Sequence, residues 1–165
     1  MIAARLLAVA GALALAGCNQ NTAIGNDREA QLDPVPEPSP VMSASAALRN
    51  VSPALIKPET MSDIDIEALG GREGRCAIIL TEVAFPSFLY EPGGAGTIKL
   101  NGKLIVLPST GEGRFEDGGL TVTISLLEEE GNAGSQGMQM IVVPPGAPDE
   151  IGYHGYVRCH EEAEA

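Results

Sequence analysis

Thr97-Ile98-Lys99-Leu100-Asn101-Gly102-Lys103-Leu104-Ile105-Val106-Leu107 is the stretch that decides the fold. Asn-Gly is the dipeptide of the type I′ turn, in which both central residues take positive φ at little cost. Two runs of apolar and β-branched residues therefore reverse across it in two residues, as a β-hairpin. A second hairpin follows: Arg114-Phe115-Glu116 leads into Asp117-Gly118-Gly119 and then Leu120 to Leu127. In the long arm Leu120, Val122, Ile124 and Leu126 alternate with Thr121, Thr123 and Ser125. Period two marks a strand with one apolar face, and those four residues are expected to face inward. Each hairpin is preceded by Gly-x-Gly, Gly94 to Gly96 and Gly111 to Gly113, a weak internal echo.

Working outward, Cys76 to Val83 reads as an apolar strand buried on both faces for part of its length, and Phe85-Pro86-Ser87-Phe88 as a corner. Glu128 to Gly137 is expected to be a mobile acidic loop, Met138 to Val143 a strand, Pro144-Pro145-Gly146 a turn, and Tyr153 to His160 the closing strand. The fold class is all-β: a small antiparallel β-barrel or sandwich of about six or seven strands. One short helix precedes it, Thr60 to Leu69, capped by Thr60 with Asp63 or Ser62 with Asp65 and stopped by Gly70-Gly71. Ile64, Ala68 and Met61 are expected to share its packed face. Asp63-x-Asp65-x-Glu67 is not a calcium loop, because the sixth position is Ala68 where the sharp turn needs Gly, and the twelfth is Gly74 where Glu is required. It is read as an acidic first turn favoured by the helix dipole.

Upstream, Asp33-Pro34-Val35-Pro36-Glu37-Pro38-Ser39-Pro40 places proline at every second position, which no helix or central strand survives. Met42 to Ala54 is small and polar, so residues 18–58 read as a disordered linker spanning about 35 Å. The amino end has one cation, Arg5, then an apolar run from Leu6 to Leu15, the plan of a secretory signal. That run is too short for a membrane span, which needs about 20 apolar residues. Leu15-Ala16-Gly17-Cys18 resembles the lipobox of bacterial lipoproteins; Ala14-Leu15-Ala16 also fits an ordinary signal peptidase site. The resemblance implies that residues 1–17 are removed, that Cys18 is acylated, and that the protein is lipid-anchored in the cell envelope. Asn19, rather than Asp, after the Cys implies the periplasmic face of the outer membrane under the sorting rule of that family.

The chain of 165 residues carries 10 Lys+Arg against 22 Asp+Glu, a net charge of −12 that becomes −13 when Arg5 leaves with the signal. This excludes nucleic acid, whose binders are basic, and disfavours polybasic docking on anionic lipid. A cationic partner is favoured. Of three cysteines Cys18 is assigned to lipid, which leaves Cys76 and Cys159 as a pair. In an oxidising compartment that pair is expected as a disulfide between the first and last strands of a domain at 59–165.

No catalytic site emerges. The glycine-rich turns at 93–96 and 111–113 lack the Gly-Lys-Ser/Thr of a phosphate loop. There is no Gly-x-Ser-x-Gly elbow, and His154 and His160 lack the paired spacing of a zinc site. Neither enzyme activity nor a cofactor nor a metal is expected. Phe85, Phe88 and Tyr90 belong to core packing or to an apolar lip.

One segment is similar to the membrane-bound inhibitors of C-type lysozyme. Asn101 to Leu107, followed by Ser109-Thr110-Gly111-Glu112-Gly113-Arg114-Phe115-Glu116-Asp117-Gly118, is similar to their Gly-Lys strand, Ser-and-Gly-rich loop and following Arg-Tyr-x-Asp-Gly, with Phe115 in place of the Tyr. The Ser-Gly order is altered, and the Trp and Lys-Gly that follow in the family are missing. The resemblance implies a small β-barrel lipoprotein with a partner-contacting loop at Ser109, Thr110, Glu112 and Arg114. The expectations are therefore a non-catalytic envelope lipoprotein whose acidic β-domain is a binding or structural module for a protein or cell-wall partner. An inhibitor of C-type lysozyme, or a metal- or small-ligand-binding domain, are the alternatives. The sequence does not fix the oligomeric state.

Overall fold

The computed structural model describes residues 36–80, 85–131 and 135–161. Ten strands run in chain order: β1 (Val41–Met42), β2 (Cys76–Ile79), β3 (Phe88–Tyr90), β4 (Gly96–Leu100), β5 (Lys103–Leu107), β6 (Ser109–Gly111), β7 (Arg114–Asp117), β8 (Leu120–Glu130), β9 (Gln136–Val143) and β10 (Ile151–Cys159). They form one sheet in the order β1-β5-β4-β3-β2-β10-β9-β8-β7-β6. Every pairing is antiparallel except β1 on β5. The count exceeds the expected six or seven because β1, β3 and β6 have only two or three residues, too few to carry a periodic pattern.

The two expected hairpins are present. Asn101 (φ 48°) and Gly102 (φ 68°) join β4 to β5, and Gly118 (φ 53°) and Gly119 (φ 85°) join β7 to β8, the positive pairs of a type I′ turn. The sheet is curled into a half-barrel. Phe88 on β3 and Phe115 on β7 stand five strands apart in the sheet order, about 24 Å if it were flat. Their ring centroids are 5.0 Å apart, edge to face. The chain itself brings the margins together: β5 lies near one end of the sheet and β6 at the other, with only Pro108 between them. Proline brings no N–H to a ladder, so it suits this corner; its carbonyl accepts from Glu116 N at 3.0 Å.

Alternation along the strands sorts the apolar residues onto two faces. Ile78, Phe88, Ile98, Ile105, Phe115 and Val122 point into the concave core. Ala77, Leu89 and Leu104 point out of the convex face, where Met61 and Ile66 cover them. This explains why β2 is buried on both faces. The covering element is α2 (Asp63–Ala68), whose Ser62 and Asp65 make the expected capping box, with Gly70 and Gly71 at positive φ after it. It buries Asp65 and Ile66 rather than Ile64 and Ala68, because the Asp65 carboxylate is drawn down onto Lys99 of β4 at 2.7 Å. Arg75 secures its other end: its guanidinium donates to Leu69 O at 2.5 Å and to Glu91 at 2.9 Å.

Two further expectations need correction. Residues 36–58, read as part of a disordered linker, pack on the domain as a strap. In it lie β1, the short helix α1 (Ala44–Ala47) and a 3₁₀ turn at Pro53–Leu55; Ala44, Leu48 and Ile56 are core residues. The strap is held from a distance, Ser39 N on Asp65 at 2.6 Å, Ala44 N on Asp117 at 2.6 Å and Leu104 N on Pro40 O at 3.0 Å. The linker residues 18–35 lie outside the described residues. The acidic loop is also shorter than expected: Glu128, Glu129 and Glu130 extend β8, and Glu130 pairs with Gln136 past a register shift. Cys76 and Cys159 form the expected disulfide between the first and last strands of 59–165, as register partners on β2 and β10, which are adjacent strands in mid-sheet.

Candidate functional site

β7 is four residues long and β8 is eleven. Their pairing ends at Arg114 opposite Thr123, so the inward residues Ile124 and Leu126 run on past the end of β7. Ile124 is half-buried and Leu126 is 62% exposed, against the expectation that both would be covered. The space beside them is a cleft of about 720 Å³, within the range of about 300–1,000 Å³ usual for small-molecule sites.

Three elements build its walls. The end of β3 and the following turn supply Tyr90 and Gly93, the β6–β7 hairpin supplies Ser109, Gly111, Glu112, Gly113 and Phe115, and β8 supplies Ile124, Ser125 and Leu126. Phe115 is buried, and its ring lies 5.7 Å from that of Tyr90 and 5.0 Å from the core residue Phe88, so the aromatic pair of the floor, Tyr90 and Phe115, is continuous with the core. Burial pushes the Tyr90 hydroxyl above the usual phenol range, which keeps it protonated at any physiological pH. Gly113 is required as glycine: it takes φ 67°, and a Cβ there would lie 2.6 Å from Ile124 O. Its carbonyl accepts from Ile124 N at 2.7 Å, which fixes the hairpin tip over β8. The rim is polar, with Glu112 and Ser125 exposed and the Ser109 hydroxyl donating to Gly111 O at 3.1 Å.

The loop singled out from sequence is thus divided. Ser109 and Glu112 line the cleft, whereas Thr110, although exposed, is not among its lining residues. Arg114 stands apart as well, its Nε donating to Glu116 at 2.6 Å. Cys18 lies outside the described residues. His154 is exposed on β10, and His160 follows it, its N–H donating to Arg75 O at 2.9 Å. Of the aromatic residues near the Pro86 corner, Phe88 is core, Phe85 half-buried and Tyr90 a cleft residue. Tyr90 was singled out from sequence as core or apolar lip; the residues missed are Gly93, Ile124, Ser125 and Leu126, and the signal for those on β8 was its apolar alternation outlasting the partner strand. Among the described residues no three His, Cys, Asp or Glu stand close enough to hold a metal ion, and no helix is long and apolar enough to cross a membrane.

Fold and site define a class: a disulfide-containing β half-barrel with an apolar-floored, polar-rimmed cleft. The chain belongs to the DUF6692 family, a domain of unknown function, whose profile matches residues 14–162. No curated protein and no solved structure matches it.

Proposed function

We propose that the protein is an envelope lipoprotein, anchored through Cys18 on the periplasmic face of the outer membrane, whose β-domain is a non-catalytic binding module working through the cleft. The observation that carries this reading is the cleft itself: an aromatic and aliphatic floor, few polar groups, and walls fixed by backbone hydrogen bonds. Such a lining holds a ligand by burying apolar surface and orients it with its rim. It favours the small-ligand alternative over a metal site.

The test is native mass spectrometry of the protein released gently from membranes. A bound species lost on denaturation, and absent from Gly111→Phe, is the expected result. A wild-type spectrum identical to that of the variant, with no ligand in either, contradicts the reading. Gly111 is chosen because a Cβ there meets nothing within 4 Å.

The second reading is inhibition of C-type lysozyme. It is favoured by the exposure of Ser109, Thr110 and Glu112 on an acidic protein facing a cationic enzyme. Undiminished lysozyme activity at micromolar protein retires it.

A further inference from the structure

We propose that the cleft takes an amphiphilic amine, an apolar body with a cationic head, in preference to an anionic amphiphile; this rests on reading the cleft as the binding site. The apolar part of the argument is the floor. Tyr90, Phe115, Ile124 and Leu126 offer rings and branched side chains, and Leu126 is left 62% exposed. An apolar body removes that surface from water.

The selection comes from charge. Among the described residues Glu112 is the charged one lining the cleft, and no Lys, Arg or His joins it there. The cations on adjoining segments are engaged elsewhere: Arg114 pairs with Glu116, and Arg75 with Glu91. A carboxylate head would meet Glu112 with no counter-charge at the site, inside a field set by a net charge of −12. An ammonium head meets a partner. A peptide strand is the weaker occupant, because β6, the sheet edge at this cleft, has three residues and a register shift between Ser109 and Gly111. Short, bulged edges are poor templates for strand addition.

The test is an amide-resolved NMR titration of residues 19–165 with decylamine and, separately, decanoate, each below its micelle concentration at pH 7. Gly93, Gly111 and Gly113 report on the cleft. The expected result is saturable shifts at these amides with decylamine, and binding of decanoate weaker by about tenfold or more. Glu112→Gln should weaken decylamine by about two- to fivefold, the range of an exposed ion pair. Gly111→Phe should abolish the shifts at Gly93 and Gly113 while amides of β9 and β10 stay in place. Decanoate bound as tightly as decylamine in the cleft, or an affinity untouched by Glu112→Gln, overturns the charge selection and leaves the cleft a binding site. No saturable shift at the three glycines with either probe overturns the inference outright. Only an additional absence of ligand from the native protein would remove the binding reading beneath it.

Discussion

Asp65 shows how much one side chain does when its partners come from three segments. Its carboxylate, 1% exposed, accepts from Ser39 N at 2.6 Å, Ser62 N at 2.9 Å and Lys99 Nζ at 2.7 Å. Burial alone pushes its pKa up, but Lys99 and the backbone donors win and hold it well below the usual carboxylate range. A depressed folded pKa contributes stability that is complete above the unfolded value, about 4, and is lost as pH falls below it. Asp65→Asn should cost about 3 kcal/mol at pH 7 by urea denaturation, and the gap to wild type should narrow on acidification toward pH 3. A gap independent of pH would contradict this. Gly96 gives a second check, because a Cβ there would collide with the tip of the Phe88 ring at Cζ. Gly96→Ala should lower stability by about 1–3 kcal/mol in the same assay. Sequence showed Asp65 as a capping residue, which is local chemistry. Its bond to Lys99 crosses 34 positions and left no local trace.

At the scale of elements, the hairpins at Asn101-Gly102 and Gly118-Gly119 were legible because a turn with two positive φ values admits few residues. The strap at 36–58 was not. Its prolines and small residues are what a disordered segment also has, and its anchors, Asp65 and Asp117, belong to other parts of the chain. Asp117→Ala removes the acceptor of Ala44 N–H, a bond worth about 1.5–3 kcal/mol with a charged partner. The strap should then open more often, so that trypsin cuts after the exposed Arg49 about tenfold faster while Lys99 within β4 stays uncut. Equal cleavage rates would show that the strap is held by its apolar residues alone. The cleft lies between these two cases. Glu112 and Ser109 were visible as a glycine-rich turn, but Ile124 and Leu126 become cleft residues only because β7 stops short of them.

For the whole molecule, the curl and the disulfide act on different states. Curling buries the concave face, whereas the Cys76–Cys159 bond, closing 83 residues, restricts the unfolded chain by about 4.5 kcal/mol in the loop-entropy account. Replacing both cysteines by serine should lower stability by about that amount without loss of β-sheet content, as read by chemical denaturation and far-ultraviolet circular dichroism. A disulfide is what the proposed envelope location calls for, because such bonds persist outside the reducing cytosol. Anchor and bond are therefore tested together by peptide mass spectrometry of the protein purified from membranes without reductant. An amino-terminal peptide beginning at a diacyl- or triacyl-modified Cys18, together with a linked Cys76–Cys159 peptide, is the result this account predicts. An unmodified Cys18, or free thiols at 76 and 159, would contradict it.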